Sequence, residues 1–90
     1  MKYTIELAKS FKKSFKKLTP KEQELFSKIS KRLANGESLE PKYHDHALKG
    51  DYGGFRECHI KSDLLLIHQR QDDKLILYCL NVGSHSEIFK

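Results

Sequence analysis

The fold is decided by the stretch Gly54-Phe55-Arg56-Glu57-Cys58-His59-Ile60-Lys61-Ser62-Asp63-Leu64-Leu65-Leu66-Ile67. Residues 55–60 are predicted to form one strand, Lys61-Ser62 a tight turn, and residues 64–71 a second strand. Because every position of 64–67 is apolar, the second strand is predicted to be central and covered on both faces. The stretch therefore predicts a hairpin in the middle of a sheet.

Strands are also predicted on either side of this hairpin. Asp72-Asp73 is typical of a turn, and residues 74–82 are predicted to form a last strand that Gly83 ends. Residues 84–89 are expected to make a short tail. Near the other end of the chain, residues 2–7 alternate as a short strand would. The predicted sheet has four strands and is mainly antiparallel.

Two helices are predicted between the first strand and the hairpin. The first is marked by apolar residues at helical spacing: Ala8, Phe11, Phe15 and Leu18. The second begins at the capping box Thr19-Pro20-Lys21-Glu22 and ends at Asn35-Gly36. Its predicted buried stripe consists of Leu25, Phe26, Ile29 and Leu33. The predicted fold is α+β with the order β-α-α-β-β-β, a helical hairpin packed on the sheet. We expect one domain, residues 1–90.

The positive charge lies in the first half of the chain. Residues 1–43 hold eleven Lys and Arg against five Asp and Glu, whereas residues 44–90 hold six against seven. The first predicted helix carries a face of lysines at helical spacing: Lys9, Lys12, Lys13, Lys16 and Lys17. Like charges stacked in this way destabilise a helix unless solvent or a partner screens them. The face is either a solvated surface or a binding site for a polyanion, RNA or an acidic protein.

Composition also indicates where the protein works. The start of the chain, residues 1–7, carries a charge within its apolar stretch and lacks a signal-peptide core. No run is long enough to span a membrane. We therefore expect a cytoplasmic protein without a membrane partner. Cys58 and Cys79 are expected to be reduced, half-buried small hydrophobes rather than a disulfide.

All five histidines lie in the second half of the chain. The segment 37–54 is long and aperiodic, and a loop of this length in a small domain is usually functional or mobile. It contains the sequence His44-Asp45-His46. His59 and Asp63 flank the hairpin turn, and His85 follows the last strand. We therefore expect His46, His59, Asp63 and His85 to meet at one edge of the sheet. His44 and His68 are predicted to be structural.

Two chemistries fit this cluster. One is metal-free RNA cleavage, in which one group removes the 2′-hydroxyl proton, a second protonates the departing 5′-oxygen and a cation stabilises the phosphorane-like charge. Histidine suits both proton roles near pH 7. The other is a zinc site with a carboxylate and histidines drawn from His44, His46, His59 and His85. No HExxH or CxxC spacing supports it, so we favour the nuclease and expect no metal and no cofactor.

Three motifs in order resemble the YafQ branch of the RelE-type toxins. They are Asp45-His46-Ala47-Leu48-Lys49-Gly50, the stretch 54–67 quoted above, and Gly83-Ser84-His85-Ser86-Glu87-Ile88-Phe89. The resemblance covers residues from about Pro41 onward by motif and the helical half by layout. It implies a RelE-like fold and the activity of an mRNA interferase, a ribosome-dependent endoribonuclease of a type II toxin–antitoxin module that needs no metal.

The resemblance also implies roles for individual residues. His46, His59, Asp63 and His85 match the catalytic positions, with His85 as general acid, His46 or His59 as base, and Asp63 orienting or sharing that role. Contacts to RNA are implied for Arg56, Phe89, Lys49 and the five lysines of the first helix. The implied partners are a cognate antitoxin, ribosomal RNA and mRNA.

The resemblance has departures and rivals. In the branch, proline is common at the positions of Ser62 and Ala47, and tyrosine is common at the position of His68. On the same scaffold, ParE-type toxins inhibit DNA gyrase by binding, without this histidine set. A structural alternative also stays open for single residues: Arg56 is expected to pair with Glu57 or Asp63 if it does not contact RNA.

Overall fold

The computed structural model describes residues 1–89. The strands are β1 (Thr4–Leu7), β2 (His46–Ala47), β3 (Arg56–Lys61), β4 (Leu64–Gln71) and β5 (Ile76–Gly83). The α-helices are α1 (Lys9–Phe15), α2 (Pro20–Ala34) and α3 (His85–Ile88), and single 3-10 turns occupy Pro41–Tyr43 and Gly50–Tyr52. The predicted order of the two helices and the four main strands is confirmed.

The sheet has the strand order β1-β5-β4-β3-β2, with β1 parallel to β5 and every other pair antiparallel. The predicted α+β class and mainly antiparallel sheet are confirmed, but the number of strands is five rather than four. The fifth strand, β2, pairs only His46 with Glu57 and Ala47 with Arg56. Two residues are too few to produce a periodic pattern, so the sequence shows no signal for this strand.

The helical hairpin follows local sequence rules. Thr19 Oγ1 accepts a hydrogen bond from the Glu22 backbone N–H at 3.2 Å, and Glu22 Oε1 accepts one from the Thr19 N–H at 2.9 Å. This reciprocal pair is the capping box that the sequence predicts. Helix α1 ends at Phe15, before the predicted Leu18. There the Leu18 N–H donates to the Phe15 carbonyl, so the chain tightens into a turn before Thr19 caps the next helix.

The main core lies between the helices and one face of the sheet. It contains Phe11, Phe26, Leu33, Leu66 and Leu77, all buried. A smaller cluster covers the opposite face, where Leu65, Ile67 and Ile88 are buried and Leu48, Tyr52, Phe55, Leu80 and Phe89 are partly buried. Strand β4 contributes to both clusters, which confirms the prediction of a central strand covered on both sides.

Two expectations need correction. The cysteines are free, as expected, but fully buried rather than half-buried, and burial raises the pKa of each thiol to about 12. The tail after Gly83 is a helical turn, because Ser84 and Glu87 form a second capping box around α3. Within residues 1–89, no helix is long and apolar enough to cross a membrane.

Candidate functional site

The histidine motifs lie near the sheet face opposite helices α1 and α2. Successive side chains of a strand point to opposite faces, and paired residues of neighbouring strands share a face. Glu57 pairs with Ile67, and His59 pairs with Leu65. Since Leu65 and Ile67 pack with Ile88 away from the main core, Glu57 and His59 lie on this second face. We call it the open face.

A carboxylate joins two of the predicted catalytic histidines. Glu57 Oε1 lies 3.5 Å from His59 Nε2 and 4.0 Å from His46 Nε2. The Glu57 side chain is only 9% exposed, whereas His46 is 53% and His59 30% exposed. A buried carboxylate between two accessible imidazoles can share protons with both. We call Glu57, His46 and His59 the carboxylate–imidazole cluster.

The local backbone fixes the protonation pattern of His46. Its Nδ1 lies 2.6 Å from the His44 carbonyl oxygen. A carbonyl can only accept a hydrogen bond, so Nδ1 carries the proton and, in the neutral ring, Nε2 has a free lone pair. That nitrogen is the one facing Glu57. His46 is therefore arranged to accept a proton at Nε2.

The remaining predicted residues form a second group around the start of α3, whose Ile88 and Phe89 pack on the same face. The backbone N–H of His85 donates to Asp63 Oδ1 at 3.2 Å, at the start of α3. The His85 and Phe89 rings lie 5.0 Å apart between centroids, and Tyr52 meets Phe89 edge-on at 5.3 Å. We call His85, Phe89 and Asp63 the α3 group. Its histidine is exposed and its aromatic ring is held by packing, so the imidazole can reach a substrate.

The two groups lie on opposite sides of one strand. His59 pairs with Leu65 on β4, and Leu65 pairs with Gly83, two residues before His85. Two strand spacings separate the backbones of His59 and Gly83 by roughly 10 Å. The predicted residues thus form two groups with a gap between them, rather than one contact cluster at an edge. Such a gap suits a substrate that touches a base on one side and an acid on the other.

The predicted RNA-binding residues also lie in different parts of the molecule. Arg56 pairs with His68 and lies on the helix side of β3, where its Nε donates to Asp45 Oδ1 at 3.1 Å. Its partner is therefore neither Glu57 nor Asp63. Lys49 is exposed next to Leu48, which packs on the open face. The five lysines of the first helix and its following turn are all exposed: Lys9, Lys12, Lys13, Lys16 and Lys17.

Two contributors to the site were missed by sequence reasoning. Glu57 was considered only as a partner for Arg56, yet its two-residue spacing from His59 places both side chains on one face of a strand. His44 was assigned to the structural residues, but its carbonyl holds His46 and its ring lies 5.1 Å from the His59 ring. Strand periodicity was a sufficient signal for Glu57. No sequence signal reveals the contacts of His44.

Metal binding has little support from the side chains that the structure describes. Among residues 1–89, no group of three or more His, Cys, Asp or Glu side chains is arranged to hold a metal ion. The rings of His44 and His59, both from the proposed zinc set, lie 5.1 Å apart between centroids.

The fold and the open face define a class: a small basic α+β protein whose sheet carries a candidate acid/base site. Comparison with known proteins gives the family. Residues 3–90 match the model of the bacterial toxin of type II toxin–antitoxin systems, YafQ. The chain belongs to this family.

Curated relatives agree over part of their length. The chain is 43% identical over 60 residues to a Haemophilus influenzae protein that carries the YafQ toxin name, and 36% identical over 47 residues to the Escherichia coli mRNA interferase toxin YafQ. These matches cover 62% and 52% of this chain. They span only 59% and 49% of the two relatives, so about half of each curated protein is matched.

Solved structures match along almost the whole chain. A metal-bound toxin from Helicobacter pylori is 41% identical with a TM-score of 0.85, over 97% of this chain and 99% of that one. The toxin in the E. coli DinJ-YafQ toxin–antitoxin complex is 25% identical with a TM-score of 0.84, over the full length of both. Both likenesses agree with the five-stranded α+β fold.

Proposed function

We propose that residues 1–90 form a single RelE-like toxin domain that cleaves mRNA on the ribosome, without a metal, as the toxin of a type II toxin–antitoxin module. One observation carries the proposal: the carboxylate–imidazole cluster and the α3 group share the open face on either side of β4. This is the layout that a two-sided proton transfer requires. The relative from E. coli is named an mRNA interferase, which supports the same reaction.

The reaction begins at the carboxylate–imidazole cluster. His46 Nε2, with its lone pair free, removes the proton from the 2′-hydroxyl of the substrate, and the oxygen attacks the adjacent phosphorus. Glu57, 4.0 Å away, stabilises the imidazolium that forms and can relay its proton toward His59, 3.5 Å away. Because Glu57 is buried, its charge acts through little water and the interaction is stronger than at the surface.

The reaction ends at the α3 group. The bond from phosphorus to the 5′-oxygen breaks, and His85 in its protonated form gives that oxygen a proton. The products are a 2′,3′-cyclic phosphate and a 5′-hydroxyl end. Asp63 holds the backbone of His85 in place and so positions the acid. Phe89, fixed against Tyr52, offers an aromatic edge to a base of the substrate.

Cations supply the attraction for RNA. Lys49 is exposed beside the open face and is the cation we assign to the substrate phosphate. The lysines at positions 9, 12, 13, 16 and 17 form a separate exposed surface, which we assign to ribosomal RNA. Arg56 is engaged by Asp45 on the helix side, so any contact it makes with RNA lies away from the cleavage site. Affinity carried by these charges falls as salt rises.

The partner that silences the toxin is proposed to be a cognate antitoxin protein. The E. coli relative was solved with its antitoxin, DinJ, and the family is that of type II toxin–antitoxin systems. An acidic antitoxin segment would complement the lysine-rich half of this chain. Since the substrate is mRNA on the ribosome, we place the activity in the cytoplasm.

The proposal is tested in a purified translation system by mapping mRNA ends after the protein is added. We expect cleavage at ribosome-positioned codons and none in free mRNA. Alanine at His46, His59, Asp63 or His85 should each lower the cleavage rate about 100-fold or more, and Glu57→Gln should have a similar effect. Ser86→Ala, at an exposed neighbour of His85, is the matched control and should cleave normally.

Three results would overturn the proposal. Full cleavage by all four alanine variants would show that the site is elsewhere. Inhibition of gyrase supercoiling without any mRNA cleavage would place the protein with the binding toxins of this scaffold. Metal analysis of the active protein adds a third arm, because stoichiometric zinc that is required for cleavage would contradict the metal-free mechanism.

A further inference from the structure

We propose that Asp45 is a positioning residue for the His46 imidazole, and that Arg56 and His68 hold it in place from the helix side of the sheet. This inference rests on the proposed function, because it concerns how the base of the cleavage site is oriented. It gives a structural role to Asp45, Arg56 and His68, three residues that do not face the substrate.

Asp45 sits between two cationic or potentially cationic groups. Its Oδ1 accepts a hydrogen bond from Arg56 Nε at 3.1 Å and lies 3.6 Å from His68 Nε2. Its side chain is only 18% exposed. Burial, the largest effect, raises the pKa of Asp45, but His68 and Arg56 together bring that pKa below its ordinary value. The carboxylate is therefore charged and held from two sides.

His68 is a buried polar group that needs Asp45. Its side chain is 2% exposed, and neither ring nitrogen has a hydrogen-bond partner among residues 1–89. Burying an imidazole without partners costs free energy, because the ring loses its hydrogen bonds to water and no hydrogen bond within the protein replaces them. The Asp45 carboxylate faces His68 Nε2, so closing the remaining distance stabilises both groups. His68 thus restrains Asp45 rather than taking part in proton transfer.

The position of Asp45 directly affects that of His46, because the two residues are adjacent in the chain. Asp45 lies between His44, whose carbonyl accepts the hydrogen bond, and His46, whose Nδ1–H donates it. His44 has a φ of 50°, in the left-handed region that non-glycine residues seldom adopt. Such a backbone persists only when its surroundings hold it. The His44 N–H is held by the Pro41 carbonyl at 3.0 Å, and the anchored side chain of Asp45 restrains the next residue of the turn.

The short strand β2 needs the same restraint. It pairs through only two residues, His46 with Glu57 and Ala47 with Arg56. A ladder of this length contributes little stability by itself. The Arg56–Asp45 bond adds a side-chain link across the ladder on the helix side, while Glu57 faces His46 on the open side. Two neighbouring residues of β3 therefore have different roles. Arg56 holds the loop through Asp45, and Glu57 acts on the His46 imidazole.

The test measures the tautomer of His46 by nitrogen-15 NMR of its ring, together with the cleavage rate. In the parent protein we expect one neutral tautomer, protonated at Nδ1. Asp45→Asn should give a mixture of tautomers and lower turnover at least tenfold, with the apparent affinity for ribosomes unchanged. Asp73→Asn, which removes an exposed turn carboxylate, is the matched control and should change neither measurement.

A second pair of variants keeps the test decisive if Asp45→Asn does not fold. Arg56 is 45% exposed, so substitution there leaves the core intact. Arg56→Gln should loosen the His46 tautomer, and Arg56→Lys, which keeps the charge, should restore it. An unchanged tautomer in folded Asp45→Asn or Arg56→Gln would overturn the proposal, whatever the activity. If the parent protein cleaves no RNA, the proposed function fails, and the tautomer still decides the role of Asp45.

Discussion

Two adjacent rows of paired residues cross the sheet one residue apart, and their side chains lie on opposite faces. In the first row, Cys58 pairs with Leu66 and Leu66 with Val82, and all three are at most 1% exposed beneath the helices. In the second row, His59 pairs with Leu65 and Leu65 with Gly83. A smaller apolar cluster covers that row, and Leu65 is 1% exposed in it.

The contrast shows how a chain of 90 residues supports both a core and a candidate active site. Alternate side chains of one strand point to opposite faces, so a strand can pack the helix side and still place residues such as His59 on the other side. The smaller apolar cluster supports the open face from below. The polar groups of that face are held by local contacts such as the His44 carbonyl and the α3 cap.

The largest effect that separates the two rows should come from His85→Ala. The His85 ring is exposed on the open face, so its removal should lower cleavage at least about 100-fold. The free energy of unfolding should change by less than about 0.5 kcal/mol. Single-turnover cleavage and urea unfolding measure the two quantities. A large loss of stability with normal cleavage per folded molecule would mean that the α3 group belongs to the core.

A matched pair on β4 compares the two faces within one strand. Leu66→Ala removes a fully buried side chain from the helix side, which should lower the free energy of unfolding by about 2–5 kcal/mol. Leu65→Ala should also lower the free energy of unfolding, because Leu65 is 1% exposed in the smaller apolar cluster. Unlike Leu66→Ala, it should also reduce cleavage per folded molecule by disturbing the gap between His59 and His85. The comparison fails if Leu66→Ala is the variant that loses cleavage per folded molecule.

Acid should weaken the anchor of the histidine loop. Because the pKa of Asp45 is lowered in the folded protein, through His68 and Arg56 acting against burial, its carboxylate adds stability above its ordinary pKa. That stability is lost as pH falls through the lower folded value. Asp45→Asn should therefore destabilise by about 1–3 kcal/mol at neutral pH, and the difference should shrink below about pH 4. Urea unfolding at several pH values checks this.

The control for this pH dependence is Asp73→Asn, since Asp73 is exposed in the β4–β5 turn. Its difference from the parent protein should stay small at every pH. A stability difference for Asp45→Asn that grows toward low pH would contradict the assigned direction of the shift.

The smallest effect is expected for the thiols. Burial raises the pKa of Cys58 and of Cys79 to about 12, so almost no thiolate is present at pH 8. Iodoacetamide should leave both residues unmodified in the native protein and modify both in denaturant, as measured by mass spectrometry. Rapid native labelling of Cys58 would show that strand β3 opens, and with it the row that carries His59.

The parts of the fold that were predictable rest on signals within a few residues. The capping box at Thr19, the stop at Gly36 and the apolar run from Leu64 each have a local physical cause, and each element formed as predicted. The strand β2 was not predictable, because its two residues are held by a ladder to β3 rather than by their own preference. The helical turn α3 carried the same Ser-x-x-Glu signal as a capping box, which was overlooked.

Sequence motifs select the candidate residues, whereas their arrangement depends on the fold. The motifs select His46, His59, Asp63 and His85; the structure places His46 and His59 on the open face and joins Asp63, in the β3–β4 turn, to the backbone of His85. Their division into two groups across β4, and the entry of Glu57 between two histidines, depend on register. Register is a property of paired strands, so it cannot be read from one motif alone.

The sequence by itself determined the α+β class, the helical hairpin, the central strand and the histidine motifs, because capping, periodicity and turn chemistry act over short distances. Only the tertiary structure decided that Glu57 lies between His46 and His59, that Arg56 faces Asp45, and that a gap separates His59 from His85. These relations join segments that are distant in the chain. They are fixed by strand pairing and by the burial of apolar side chains on both faces of the sheet, which involve the whole molecule at once.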